Sequence, residues 1–512
     1  MSSSGVKVAK DSYLDSLLLM VATVTMTDAP GVTWAGAVMA SPKGLEDLAA
    51  AGFSGGELDG LGANDLVLAV KAGDDDAVQA ALEHGHDAAF AERTASGPAT
   101  EQPPTSIAEA GRRVPETNVA IVSVPGEYAA LEAHHALSAG MHVLLFSDGV
   151  PLAEEVELKD RAAELGLLIM GPGAGTAVLG GTGLGFANAL GERTDGAVGV
   201  VAAAGTGAQE VSALLDRWGV GVSQVVGVGG RDLSKAVGGR MAQLAARALD
   251  ADPHTSSVLL VSKPPDPDAA RTVLAECRRT PAVAVFLGLD DLQPPAGVHL
   301  ARTLEGGARA AAELAGGTVP VLTAGLRAKV AAVHLDDTRT TVRGLFSGGT
   351  LCYEAQAILE QHLGPVWSNE PLRKECTTPA PGGAHVLLDL GAEEYTRGVP
   401  HPMIDPSTRL ELLRQQADDP TVAVVLMDVV LGHGSHPDPA GQLAPVCAEL
   451  MAGGGPQVVA YVLGTEGDPQ VYSRQRATLE AVGCIVPETN ARGAHAAAAL
   501  VLRRPELAEA SA

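Results

Sequence analysis

The sequence predicts an α/β protein: a small N-terminal α/β module, a Rossmann-like piece, and two copies of a flavodoxin-like unit. Three observations carry this. Short apolar runs alternate along the chain with segments of helical periodicity. Runs such as "NVAIVSVP" and "MHVLLFS" are apolar throughout, as strands are in a parallel sheet covered on both faces. A long stretch of the chain also recurs further on, the mark of a duplicated unit. With 512 residues there is ample length for several domains and their cores.

The first module is expected at residues 1–85. Its "LLLMVATVTM" is too short to span a bilayer, and Asp11 and Asp15 precede it where a signal peptide carries positive charge. It reads as the buried face of a helix. "WAGAVMA" and "DLVLAVKA" read as strands, and "PKGLEDLAAAGF" and "DDDAVQAALEHG" as helices, the last with Asp at its start. The polar "AERTASGPATEQPPT" marks a linker within residues 86–116. Residues 117–191 then run strand, helix, strand, helix, strand, ending at "LLIMGPG".

The duplication covers residues 195–325 and 335–505. "AVGVVAAAGTGAQEVSALLDRWG" matches "TVRGLFSGGTLCYEAQAILEQHLG", and "PAVAVFLG" matches "QVVAYVLG". "AGVHLARTLEGGARAAAELA" matches "VGCIVPETNARGAHAAAALV". The copies differ after the late strand, where the first has "LDDLQPP" and the second "TEGDPQVYSRQRATLE". His299, in "AGVHLARTL", is expected on a terminal strand, packed in the core.

The formal net charge is -26, which excludes non-specific nucleic-acid binding, since that needs a basic surface. The five cysteines are odd in number and form no C-x-x-C. That argues against a disulfide framework or structural zinc and for a reducing compartment. The expected chain is soluble and cytoplasmic, with no membrane contact.

Each repeat passes from a strand through a Gly loop into a helix. A helix start offers unpaired N–H groups to an anion, and open α/β sheets gather ligands at the carboxyl ends of their strands. Gly205, Thr206 and Gly207 in the first repeat, and Ser347, Gly348, Gly349 and Thr350 in the second, are therefore candidate phosphate ligands. The alternative is plain helix capping, which Ser and Thr also favour. Glu210 and Glu354 hold equivalent positions in the two helices. Arg231, in "GGRDL", offers a fork to a carboxylate or phosphate, or pairs with Asp232 or another acid. "PHPMIDP" supplies His401, with Asp405 expected to cap the next helix. His433, His436 and Asp438 in "LGHGSHPDPAG" suit acid–base work better than a metal site, because Gly and Pro break the peptide. No metal is assigned. Cys352 reads as a small buried residue rather than a nucleophile. "GPGAG" at 171–175 and "GGTGLGFAN" at 180–188 lack the context of a dinucleotide fingerprint, so no NAD is inferred.

These blocks resemble succinyl-CoA synthetase, chiefly its α subunit, through "GMHVLLFSDGVP", "MGPGAGTAVLG", "VGVVAAAGTGAQE" and "FSGGTLCYEA". Nearly the whole chain resembles the FdrA family, through "GPGAGTAVLGGTGLGFAN", "GVSQVVGVGGRDL", "PHPMIDPSTRLELL" and "GTEGDPQVYSRQ". The resemblance implies a truncated Rossmann-like domain of the CoA-binding type and two repeated flavodoxin-like domains of the succinyl-CoA-synthetase type. It departs from the ligases in three places. The first Gly-rich turn for CoA phosphates is replaced by the linker, the loop that carries a phosphohistidine has no histidine in either repeat, and no ATP-grasp module is visible.

The FdrA resemblance implies a subunit of a carbamoyltransferase that converts oxalurate and phosphate to oxamate and carbamoyl phosphate. Its alternatives are an acyl-CoA synthetase subunit working with an ATP-grasp partner, and a non-catalytic scaffold. On this reading Glu354, which orients the phosphohistidine in the ligases, orients a substrate amide or Arg474. Thr465, Asp468, Gln470, Arg474 and Gln475 stand where the phosphohistidine loop was lost, and Arg474 clamps an anion or is simply solvated. The expected catalytic set is Glu354, His433, His436 and Arg474. Arg231, His401, Thr465 and Gln470 join the two Gly loops in binding substrate. Expected partners are small anionic substrates, further subunits of a hetero-oligomer, and other copies of the chain. Phosphate or carbamoyl phosphate is expected as substrate, and CoA is left open.

Overall fold

The computed structural model describes residues 3–12, 14, 16–27, 29–90, 103–191, 197–289, 291–321, 325–397 and 399–509. Residues 91–102, the larger part of "AERTASGPATEQPPT", lie outside the described residues, and the linker expected at 86–116 is narrower than that, since residues 86–90 and 107–113 are helical. The chain divides into two compact units, Met1–Pro103 and Pro104–Ala512.

The first unit runs β1 (Ser3–Ala9), α1 (Ser16–Thr27), β2 (Val32–Met39), α2 (Pro42–Ala50), β3 (Leu66–Ala72) and α3 (Asp75–Phe90). Its sheet has the order β1-β3-β2, antiparallel throughout. Side chains of the central β3 alternate with the period of two that a strand imposes. Leu66, Leu68 and Val70 pack with Ala22 and Met26 of α1 and Val78 and Leu82 of α3. Val67 and Ala69 face Leu48 and Phe53 on the other side. Strand β1 escapes sequence reading because "SSGVKVA" is half polar and stands at a sheet edge.

The second unit opens with α4 (Ile107–Arg113), β4 (Val119–Val122), α5 (Gly126–Ser138), β5 (His142–Leu145), α6 (Leu152–Leu165) and β6 (Ile169–Met170). These strands form a three-stranded parallel sheet, β4-β5-β6. The hairpin β7 (Thr176–Leu179) and β8 (Thr182–Gly185) joins the sheet of the first repeat instead.

That repeat comprises β9 (Ala197–Ala203), α7 (Gly205–Arg217), β10 (Val222–Gly227), α8 (Arg240–Ala251), β11 (Thr255–Ser262), α9 (Pro267–Leu274), β12 (Ala282–Phe286), β13 (Val298–Ala301) and α10 (Leu304–Leu314). Helix α11 (Leu326–Ala331) leads on to the second repeat. There follow β14 (Thr341–Phe346), α12 (Gly349–Leu363), β15 (Val366–Trp367), β16 (His385–Asp389), α13 (Glu393–Thr396), α14 (Ser407–Gln415), β17 (Val422–Val430), α15 (Pro439–Met451), β18 (Gln457–Leu463), α16 (Tyr472–Ala481) and α17 (Asn490–Val501).

The sheets run β13-β12-β11-β9-β10-β7-β8 and β15-β16-β14-β17-β18. A bridge from Val459 to Ile485 extends the second. Numbered within each repeat, both follow the flavodoxin-like order 2-1-3-4-5, with β15 as an added edge. The fold class read from the sequence is thus the one observed. The two repeats share a core through α7, α10, α12 and α17, where alanines 496–499 of α17 let helices approach closely. His299 is a correction. It sits on the terminal strand β13 as expected, but that edge strand turns the ring outward, and His299 is exposed. Among the described residues no helix is long and apolar enough to cross a membrane.

Candidate functional site

The strand–helix loops of the two repeats meet. Thr350 N donates to Thr206 Oγ1 at 3.3 Å. A Cβ on Gly348 would lie 2.9 Å from Thr206 Cγ2, so glycine is what allows the approach. From sequence both loops are equivalent anion cradles, but the structure treats them differently.

At α12 the cradle is filled from within. Ser347 N and Oγ both donate to Asp428 Oδ1 at 2.8 Å, and Gly348 N donates to Oδ2 at 2.7 Å. Buried Arg409 of α14 holds Asp428 in turn, its Nη1 donating to Oδ1 at 3.0 Å and to the backbone carbonyl at 2.5 Å. The Ser347 and Gly348 N–H groups therefore serve an internal carboxylate, which corrects their expected role toward phosphate. At α7 the N-cap Ala204 has no polar side chain, no side chain among the described residues accepts from the first N–H groups, and Gly205 is exposed. Strand register gives the reason. Asp428 stands one step beyond the Leu345–Met427 pair, beside Phe346. The same place in the first repeat, opposite Ala202, is Val261, which has nothing to donate or accept.

Two charged groups absent from the sequence reading stand over Gly349. A Cβ there would overlap Asp389 Oδ2 and lie 3.2 Å from Lys263 Nζ. Lys263 follows Ser262, which pairs with Ala203, so it also borders the start of α7. Asp389 ends β16 and accepts from Gly391 N through Oδ1 at 2.9 Å. Burial pushes its carboxyl up to about 6, against the pull of Lys263. His401 faces the same corner, with Nε2 2.7 Å from where a Gly391 Cβ would stand. Its Nδ1 accepts from Met403 N at 3.2 Å, so the other nitrogen carries the proton. Burial holds the ring down to about 4, so His401 is neutral at pH 7 and brings no positive charge to an anion.

The paired glutamates are interface groups. Glu354 of the second repeat accepts from Leu304 N, at the start of α10 in the first repeat, at 2.7 Å. It also accepts from Asn490 Nδ2 at 2.8 Å. Glu210 of the first repeat accepts from Tyr461 Oη and, at 3.4 Å, from Asn490 N at the start of α17 in the second. Each repeat thus caps a helix of the other. Burial pushes Glu210 up to about 8 and Glu354 up to about 7. Glu354 touches neither Arg474, which is exposed on α16, nor the solvent.

The other expected residues are dispersed. Arg231 lies 2.8 Å from Glu155 and donates to Val150 O at 2.7 Å, while Lys159 bridges Glu155 and Asp232 at 2.8 Å each in the core. Asp405 caps α14 as expected, accepting from Ser407 N at 2.9 Å. His433 is exposed, and its loop packs on Phe186, whose ring lies 6.1 Å from that of His401. His436 N donates to Met403 O at 2.8 Å, and its Nδ1 accepts from Asp438 N at 3.0 Å. Thr465 and Gln470 are buried braces: Thr465 Oγ1 donates to Ala189 O at 2.5 Å, and Gln470 Nε2 to Gly432 O at 2.9 Å. Asp468 receives Asn188 Nδ2 at 2.8 Å, and Gln475 Oε1 receives Ala440 N at 2.8 Å. Burial drives the Cys352 thiol well above its ordinary value, so it is no nucleophile. Asp428 could have been found from sequence, as an acid inside the apolar run "VAVVLMDVV". Lys263 and Asp389 carry no such signal.

Two flavodoxin-like units joined through their first helices, beside a short Rossmann-like sheet, place the chain among α/β proteins related to acid–CoA ligases. Residues 345–500 match the family model described as CoA-ligase, and residues 1–104 the model described as AllF, heavy metal-associated domain. The chain belongs to the family of the uncharacterized protein YahF of Escherichia coli (strain K12), with 37% identity over 504 residues, 94% of this chain and 96% of YahF. It is 29% identical over 206 residues to subunit alpha 2 of an ADP-forming succinate–CoA ligase of Archaeoglobus fulgidus, covering 40% of this chain and 69% of that one. It is also 29% identical over 178 residues to the ADP-forming sulfoacetate-CoA ligase subunit SauD of Bilophila wadsworthia, 33% of this chain and 59% of that one.

The groups these names imply can be tested against the residues. The N-terminal module has no cysteine, and its His84 and His86 stand two residues apart on α3, where side chains diverge. Among the described residues no group of three His, Cys, Asp or Glu side chains could hold a metal. A thiolate or imidazole cage for a soft heavy metal does not fit this module. For CoA, no Gly-rich strand–helix turn precedes β4 among the described residues.

Proposed function

We propose that the chain is the CoA-ligase-type subunit of a hetero-oligomeric enzyme acting on a small carboxylic acid or its acyl phosphate, and that it is of the FdrA type. The observation that carries this reading is the uncapped start of α7, set beside Lys263 and against the start of α12. Backbone N–H groups at Gly205, Thr206 and Gly207, with a nearby ammonium, suit the oxygens of a carboxylate or phosphoryl group. The likeness to ligase subunits supports the class. Residues 464–471 hold no histidine, so a phosphoryl carrier, an ATP-grasp module and the CoA turn would come from a partner chain.

The same missing histidine favours a second reading, transfer of a carbamoyl group to phosphate. Here phosphate oxygen attacks the carbonyl carbon, the C–N bond breaks, and the leaving nitrogen takes a proton. No phosphoenzyme is needed, and phosphate held beside a carbonyl suffices.

Titration calorimetry of the full chain against CoA, inorganic phosphate, acetyl phosphate and carbamoyl phosphate tests both. Affinity for acetyl phosphate supports the ligase-type reading, and affinity for phosphate and carbamoyl phosphate alone supports carbamoyl transfer. Heat from CoA alone would contradict the anion site itself.

A further inference from the structure

Asp389 and Lys263 come from different repeats and meet over Gly349, though neither belongs to the loops discussed so far. Asp389 is 5% exposed, and its Oδ2 makes no hydrogen bond among the described residues but is not one of the fully buried unpartnered atoms, so it is open to solvent. Such an acceptor takes its donor from water or from a ligand unless a neighbour supplies one. The groups around it do not. Glu370 and Asp428 repel it, Arg409 is spent on Asp428, His401 is neutral, and the Cys352 thiol is locked protonated. Lys263 attracts Asp389 and borders the same Gly349 position, but the two form no ion pair among the described residues.

We propose that Lys263 anchors the charge of the bound anion, and that Asp389 selects an anion carrying a hydrogen-bond donor beside that charge. The inference rests on the reading that the α7 start receives a small anion, and it names the class admitted there. The α7 N–H groups and Lys263 are all donors, so they accept any anionic oxygen. Asp389 Oδ2 is an acceptor beside the Gly349 position that Lys263 Nζ also borders. A fully ionised group would face it oxygen to oxygen, whereas a P–OH, C–OH or N–H would satisfy it. The ligand is thus a small acid that keeps one proton donor next to its charge, such as hydrogen phosphate or, through its N–H, carbamoyl phosphate; a carboxylate or fully ionised acetyl phosphate has no such donor, so the inference deepens the carbamoyl-transfer reading and speaks against the acyl-phosphate one.

Phosphate and sulfate separate the possibilities, because they share shape while sulfate carries no proton near neutral pH. The full chain is titrated with each at pH 7. The expected result is phosphate preferred by roughly ten- to a hundredfold, the factor for one buried polar group left unpaired. In Asp389→Asn the preference collapses while binding persists. In Lys263→Met both anions are lost, and Lys263→Arg restores them in part, which excludes a folding defect. Equal affinity for the two anions in the unsubstituted chain leaves the anion site standing and overturns this inference. So does unchanged binding in Lys263→Met. Binding of neither anion overturns the anion site and the inference together.

Discussion

Asp428 closes one of two loops that hold equivalent places in the two repeats. It caps α12 with three hydrogen bonds and neutralises Arg409 in the core. Asp428→Ala should therefore cost about 3–5 kcal/mol, the usual penalty for stranding a buried charge, measured by urea unfolding. A loss below about 1 kcal/mol would show that Arg409 finds another partner. The interface glutamates set the pH response. Their folded values, about 8 for Glu210 and about 7 for Glu354, lie above the ordinary 4.5, so the native state holds protons that the unfolded chain has released. Their contribution is complete below pH 4.5 and is lost as pH rises through 7 and 8. His401 and His495, both held down near 4, act in the opposite sense, but only below 6.5. The stability held by the two glutamates should thus fall by about 3 kcal/mol between pH 6.5 and 8.5. Thermal melts across that range should show the fall, and Glu210→Gln should flatten it. A midpoint that rises with pH would contradict the assignment.

At the scale of elements, the exchange of helix caps between repeats explains why α7, α10, α12 and α17 share one core. Glu305 of α10 belongs to the same seam, receiving Thr489 Oγ1 at 2.7 Å and Arg492 Nη2 at 2.5 Å from the other repeat. Glu305→Ala should destabilise the chain by about 3 kcal/mol, because Arg492 is then buried alone. Arg309→Ala removes a half-exposed neighbour, at 3.6 Å from Glu305, and should change stability by less than about 0.5 kcal/mol. Denaturant midpoints compare the two. Gly loops, parallel strands and the cap at Asp405 were legible in the sequence because each follows from local pattern. The partners of Glu354 were not, since Leu304 and Asn490 reach it only through the pairing of two domains. His299 misled for a related reason: a strand pattern does not say which edge of a sheet faces water.

At the scale of the molecule, the duplication was readable because both copies keep the strand order that their periodicity implied. The asymmetry between them was not, for it depends on which residue stands beside each loop after the sheets form: Val261 in one and Asp428 in the other. The units Met1–Pro103 and Pro104–Ala512 each have their own core. A chain beginning at Pro104 should accordingly unfold in a single transition at the midpoint of the corresponding transition of the full chain. A shift of more than about 4 °C would reveal dependence on the first unit. The central claim is that one cradle is open and its twin is filled by the protein itself. A crystal structure of the full chain with arsenate, located by its anomalous signal, tests that claim most directly. The account predicts one anion, on the N–H groups of Gly205, Thr206 and Gly207 beside Lys263. An anion on the N–H groups of Ser347 and Gly348, with Asp428 displaced, would contradict it.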